Sequence, residues 1–245
     1  MGEAIQIQAP DGAAEAYLTG TAGDPGVLFY VDAIGLRPRI EEMADRIASW
    51  GYVVLAPHVF YRDGSAAELA PQRDLREPGA REEFFAGGVM ERVQGYPPDR
   101  SAPDVDAWVR ALLEHAGDGP IGVTGYCMGA RLAVRTAGQL PGTVGAVGGF
   151  HGGGLVTEAA DSPHLAIADS TADYVFGHAD QDRSMPLDAV AVLEESLQAA
   201  GRPHLNEIYE GAAHGYSMAD TSAYHAAAAE RHFTELEALY GRTLR

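Results

Sequence analysis

An α/β fold, with a mostly parallel central sheet and helices on both faces, is predicted by three features of the sequence. Apolar runs of strand length recur along the chain, and several are continuous rather than alternating, as in strands buried on both faces. Runs with helical spacing lie between them. Glycine and proline punctuate the changeovers. Strands alternating with helices imply right-handed crossovers and a parallel sheet, whose ligands bind beyond the carboxyl ends of the strands. The 245 residues, 46% hydrophobic and 21% charged, suit one domain spanning 1–245 with a core of ordinary size.

The elements read in order as follows. IQIQA and AEAYL alternate around a PDG turn and form an edge hairpin. Val27–Val31 is a buried strand. Pro38 opens a helix in which Ile40, Met43, Ile47 and Trp50 recur on one face, and Gly51 closes it. YVVLAP is the next buried strand. From Phe60 to Arg100 the pattern breaks down. This stretch is charged, holds Pro71, Pro78, Pro97 and Pro98, and reads as a partly helical excursion that shapes a pocket. Tyr61, Phe84, Phe85 and Tyr126 are candidates for lining that pocket or for the core. Then PDVDAWVRALLEH reads as a helix, IGVTG as a strand, MGARLAVRTAGQL as a helix and VGAVGGF as a strand. ADYVFG is a strand, LDAVAVLEESLQAAG a helix and HLNEIYE a strand. An Ala-rich run from Asp220 to Leu239 is the last helix, with His225 and His232 on its solvated side.

Composition narrows the function. With 35 acidic against 17 basic side chains the formal net charge is −18, so neither nucleic acid nor an anionic membrane surface is an expected partner. No apolar run is long enough to span a bilayer, and the first residues lack a basic region followed by an apolar stretch. A single cysteine, Cys127, cannot form an internal disulfide, and a reducing cytoplasm is the expected location.

That cysteine stands in GVTGYCMGAR, between a strand and a helix and two residues from a glycine on either side. The form G-x-C-x-G is that of a nucleophile elbow with sulfur in place of oxygen. The central residue of such a turn is held in a strained conformation, and its flanking positions must be tiny so that strand and helix can pass closely. The helix N-terminus behind the sulfur favours thiolate over thiol, and the Met128 N–H points to where an oxyanion would form. The alternative is that Cys127 is small core filler.

A thiolate nucleophile needs a base, and the base an orienting acid. In α/β-hydrolases they follow in the order nucleophile, acid, histidine, each after a strand. Asp180 and Asp182 follow the strand in YVFGHADQDRSMP, and His214 follows the next in YEGAAHGYS. Other histidines are weaker candidates. His151 in FHGGG looks like an oxyanion loop but comes after the nucleophile, His58 could reach the same face, and His178 is too close to the acid loop.

These segments resemble the dienelactone hydrolase family of α/β-hydrolases. GYCMG is similar to its cysteine elbow, DRSMP to its acid loop and GAAHGYS to its histidine loop, while YVDAIG and GYVVLAPHVFYR resemble the segments around its third and fourth strands. The likeness runs from about Val27 onward and is weakest over Phe60–Arg100. It implies a triad of Cys127, Asp182 and His214, and a second oxyanion donor in the Ala33 N–H beside that of Met128. Where the family's founding enzymes carry a glutamate that touches the resting cysteine, this chain has Asp32, one methylene shorter, as accessory acid. Where they hold the substrate carboxylate with an arginine four residues after the histidine, this chain has Met218, and Arg76 or Arg81 would have to supply the cation. The resemblance with this departure implies hydrolysis of a neutral or more apolar carboxylic ester or lactone through a thioester, with no metal or organic cofactor. The same cysteine would also serve an acyltransferase, a thioesterase or a metabolite-tailoring enzyme, and a pocket without turnover would make a binding module.

Overall fold

The protein is described here by a computed structural model covering residues 2–245. Its described strands form one sheet: β1 (Glu3–Ala9), β2 (Gly12–Thr19), β3 (Gly26–Tyr30), β4 (Val53–Pro57), β5 (Ile121–Tyr126), β6 (Val144–Phe150), β7 (Asp173–Ala179) and β8 (His204–Tyr209). They lie in the order β1-β2-β4-β3-β5-β6-β7-β8. β2 pairs antiparallel with β1 and with β4, and every other pairing is parallel. The hairpin joins the sheet through β2 at one end, and the parallel strands are the continuous apolar runs. β3, β4 and β5 have no exposed residue.

Chain progress reverses at β3: β4 lies on one side of it and β5 on the other. The loops that leave β3 and β5 therefore start side by side at the carboxyl edge, where such sheets open a crevice. α1 (Pro38–Ala48) buries Ile40, Met43, Ala44 and Ile47, the stripe its periodicity prescribes. α1 and the last helix, α8 (Ala226–Thr243), are tied by the Arg46–Glu230 ion pair and by Trp50 against Phe233. α5 (Pro98–Leu113), α6 (Met128–Gln139), a 3-10 turn at Pro163–Asp169 and α7 (Leu187–Ala200) pack in sequence on the other face.

The excursion is built of short pieces. These are α2 (Ala66–Leu69), α3 (Ala80–Phe84), a distorted turn at Phe85–Val89 and α4 (Met90–Gln94). Gly88 in the distorted turn has φ of 95°, which a side chain would resist. A backbone bridge holds the excursion to the segment after β8: Leu75 pairs with Thr221, and the Ser222 N–H donates to the Leu75 carbonyl.

Three features differ from expectation. α5 starts at Pro98, not Pro103. Pro98 has its ring at the first helical position, where no N–H is needed, and Pro103 is carried inside the helix because Val105, Trp108, Val109 and Leu112 are buried by it. α8 starts at Ala226 rather than Asp220, since residues 215–224 are held in turns and the His225 ring accepts from the Ala228 N–H (3.2 Å) as a cap. His232 is not solvated: it is fully buried, in contact with the Phe233 ring, with Nε2 at 3.2 Å from the Tyr126 hydroxyl. His225 is half-buried.

Burial holds the His232 imidazole at about 3, below its ordinary 6.5. Between those values the unfolded chain binds a proton that the folded one refuses, so stability is lost as pH falls through that window. Urea unfolding across it should give His232→Gln a shallower dependence on pH than the parent chain, by up to about 1.4 kcal/mol per pH unit.

Candidate active site

The turn between β5 and α6 is strained where an elbow requires it. Cys127 has φ 56° and ψ −116°, outside the regions that side chains ordinarily occupy. Its neighbours explain how this is tolerated. A Cβ on Gly125 would overlap the Gly129 carbonyl, and one on Gly129 would lie 2.5 Å from the Val31 oxygen. With both positions bare, α6 runs back over the ends of β3 and β5, and the Cys127 N–H donates to the Phe150 carbonyl (3.1 Å). The sulfur is left half-buried at the carboxyl edge, above the first amides of α6.

The acid and the histidine come from the next two strand ends. Nδ1 of His214 donates to Oδ2 of Asp182 (2.6 Å), and the Ser184 N–H and hydroxyl donate to Oδ1 (2.8 and 2.7 Å). Asp180 has a different task. Its Oδ2 accepts from the Gly211 N–H (2.9 Å) and its own N–H donates to Ala212 (2.7 Å), clipping the histidine loop to the acid loop. Cys127, Met128, Ala33, Asp182 and His214 all line one cavity of about 540 Å³.

The charges in this cavity are coupled. Burial pushes the Cys127 thiol up, but the His214 imidazolium and the Met128 N–H outweigh it, and the thiol ends below its ordinary value. Burial pushes His214 down, but the cysteine and Asp182 together raise it to about 10. Burial also opposes ionisation of Asp182, and the hydrogen bond and charge of His214, with Ser184, hold it at about 2. Each of the three groups thus favours the charged form of its neighbour, sulfur and carboxylate stabilising the imidazolium and the imidazolium stabilising both.

Asp32, the expected accessory acid, makes its hydrogen bonds elsewhere. Its carboxylate accepts from both terminal nitrogens of Arg37 (2.7 and 3.1 Å) and caps its own turn through the Ile34 and Gly35 N–H groups (3.1 and 3.3 Å). Among the described residues it makes no hydrogen bond to Cys127. Its charge reaches the sulfur only at a distance, in the sense that favours the thiol. Arg37, 5% exposed, also pairs with Asp220 (2.6 Å), and so ties the Ala33 loop to the segment that follows His214. Arg92, from the excursion, donates to the Ala33 carbonyl (3.0 Å) on the other side of that loop.

The other candidates are placed as follows. His151 is buried beneath His214, ring centroids 5.4 Å apart, with Nε2 at 2.8 Å from the Ser217 hydroxyl. Only its neighbours Gly153 and Gly154 reach the cavity wall. His58 is buried against the Gly64 carbonyl, and His178 pairs with Asn206. Of the four aromatic candidates only Phe85 lines the cavity. Tyr126 is core, stacked on Phe29, and Tyr61 bonds to Asp104. Arg76 is turned to Asp74 at the surface, and Arg81 lies over the Phe85 ring. Sequence reasoning missed Arg131 in the cavity wall, four residues after Cys127. The i,i+4 rule for one helix face was the available signal. No group of three or more His, Cys, Asp or Glu side chains among the described residues is arranged to hold a metal ion.

This strand order, with a strained turn after β5, defines an α/β-hydrolase. The family model of the dienelactone hydrolases matches residues 14–244, and the chain belongs to that family. It is 26% identical to the carboxymethylenebutenolidase of Pseudomonas putida over 232 residues, 93% of this chain and 91% of the relative. A Klebsiella pneumoniae protein provisionally classed as a dienelactone hydrolase has the same fold, with a TM-score of 0.82 at 22% identity, over 99% of this chain and 98% of that one. The dienelactone hydrolase of Anabaena variabilis superposes with a TM-score of 0.60 at 19% identity, over 100% and 99% of the two chains.

Two measurements test the site. Carbamidomethylation of Cys127 by iodoacetamide, followed against pH, should show an apparent pKa below the ordinary 9.0, moving upward in His214→Gln. Replacing Arg37 by Met leaves the buried Asp32 without its cation and should lower the unfolding free energy by about 3–5 kcal/mol, read from urea denaturation.

Proposed function

We propose that this hydrolase cleaves a carboxylic ester or lactone with Cys127 as nucleophile, His214 as proton shuttle and Asp182 as orienting acid. The carrying observation is that a lone cysteine on a strained elbow, a histidine raised to about 10 and a carboxylate held at about 2 share one cavity.

The Cys127 thiolate attacks the carbonyl carbon, and the π electrons move to the oxygen. The Met128 and Ala33 N–H groups are the donors to that oxyanion, each contributing about 3 kcal/mol of barrier lowering when well aligned. Collapse expels the alkoxide, which takes its proton from the His214 imidazolium, and leaves an acyl thioester. Neutral His214 then accepts a proton from water as the hydroxide oxygen attacks the thioester. Breakdown releases the carboxylic acid and restores the thiolate–imidazolium pair. Asp182 keeps the imidazole in the tautomer with Nδ1 protonated throughout. Ala33 is held for its role from both sides, by Asp32 and Arg37 within its loop and by Arg92 at its carbonyl.

Intact-mass analysis after mixing with a p-nitrophenyl ester should show an acyl adduct on the parent chain and none on Cys127→Ala. An adduct on the alanine variant would overturn the assignment. His214→Gln should lower kcat by roughly 10²–10⁴-fold. The alkaline limb of the kcat/KM profile should fall near 10, where the free enzyme loses the imidazolium, and should move down in Asp182→Asn.

A further inference from the structure

The cations of this chain are distributed in a way that singles out one wall of the cavity. All 17 are arginines. Ten pair with carboxylates, and Arg92, Arg100 and Arg245 donate to backbone carbonyls. Among the described residues only Arg81, Arg110, Arg131 and Arg183 have neither kind of partner. Arg131 and Arg183 line the cavity that holds Cys127, and Arg81 lies next to Gly215, beside His214. Arg183 is exposed to water and Arg81 stacks on Phe85, whereas Arg131 is largely withdrawn from solvent, so its guanidinium is the one that calls for a partner outside the chain.

Arg131 is the best placed of them. It stands one turn after Cys127 on the same side of α6, and its charge and that of the sulfur act on each other. It is largely buried, and burial pushes it below its ordinary value with no carboxylate to compensate. One turn further along the helix, Arg135 pairs with Asp161. The loop after β6 lies alongside the Arg131 side chain: a Cβ on Gly154, where φ is 65°, would be in ordinary contact with both Cδ and Nη1 of Arg131 at 3.7 Å. To the same cavity the excursion supplies the apolar side chains of Phe85, Met90 and Val93.

The expectation of a neutral ester rested on Met218, and that side chain is buried and no part of the cavity wall. Resting on the reaction proposed above, we infer that Arg131 is a specificity-determining residue that binds a carboxylate carried by the substrate. The ester is then bipartite: an apolar portion against Phe85, Met90 and Val93, a carboxylate on the Arg131 guanidinium, and the scissile carbonyl over Cys127 between them. A planar guanidinium meets a carboxylate with two parallel N–H donors.

The test compares mono-p-nitrophenyl glutarate with p-nitrophenyl butyrate, acyl chains of similar reach with and without a terminal carboxylate. The ratio of their kcat/KM values is the readout, because it does not depend on how much of a preparation is active. The parent chain should favour the glutarate by about tenfold or more. Arg131→Gln should collapse that ratio, Arg131→Lys should retain part of it, and Arg131→Glu should invert it. A parent chain that turns over both esters equally, or a ratio unmoved in Arg131→Gln, would overturn the inference while leaving the thioester chemistry standing. Turnover of butyrate that survives in Cys127→Ala would instead break the reading on which the inference rests.

Discussion

The approach of α6 to the ends of β3 and β5 is the constraint on which the site depends. Gly125 and Gly129 leave no room for a side chain between strand, turn and helix. Cys127 between them is held at φ 56° because the sheet on one side and the helix on the other are already fixed. That single contact sets the sulfur at the carboxyl edge, places the first helical amides beside it, and brings α6 near enough to the loop after β3 for Met128 and Ala33 to line one cavity.

Around the elbow, the loops are held by charges that take no part in bond breaking. Asp180 and Asp182 stand two residues apart and divide the work. One accepts from the Gly211 amide and fixes the path of the histidine loop, and the other receives the imidazole itself. Arg37 does the corresponding service for the loop after β3, with Asp32 on one side and Asp220 on the other. With Asp32 committed to Arg37, the sulfur has His214 as its dominant charged neighbour, and its thiol is held below the ordinary value.

Much of this was legible in the sequence because it depends on local pattern. Continuous apolar runs marked the buried parallel strands, and glycines flanking a lone cysteine at a strand–helix junction marked the elbow. What escaped depends on partners remote in the chain. His232 looks like a solvent-facing residue by type, yet it shares its face with Phe233, Leu236 and Tyr240, and its polarity is met by Tyr126, 106 residues away. Arg37 and Asp220 lie 183 residues apart. The first turns of α8 were misplaced because alanine continues a helix but does not reveal where the preceding turns end. Pro103 looked like a helix start because proline is costly inside one, and the buried face of α5 outweighs that cost.

The excursion contributes to the cavity in a way the sheet does not. Phe85 and Met90 flank Gly87 and Gly88, two positions where an added Cβ would touch nothing, in short helical pieces of which only Ala80, Val89 and Val93 are fully buried. Cys127, Asp182 and His214 follow strand ends, whereas Phe85 and Met90 stand on the excursion. Changes confined to those two side chains and the glycines between them can therefore reshape that wall while the strand ends keep their positions, which leaves a lineage room to alter what the cavity admits.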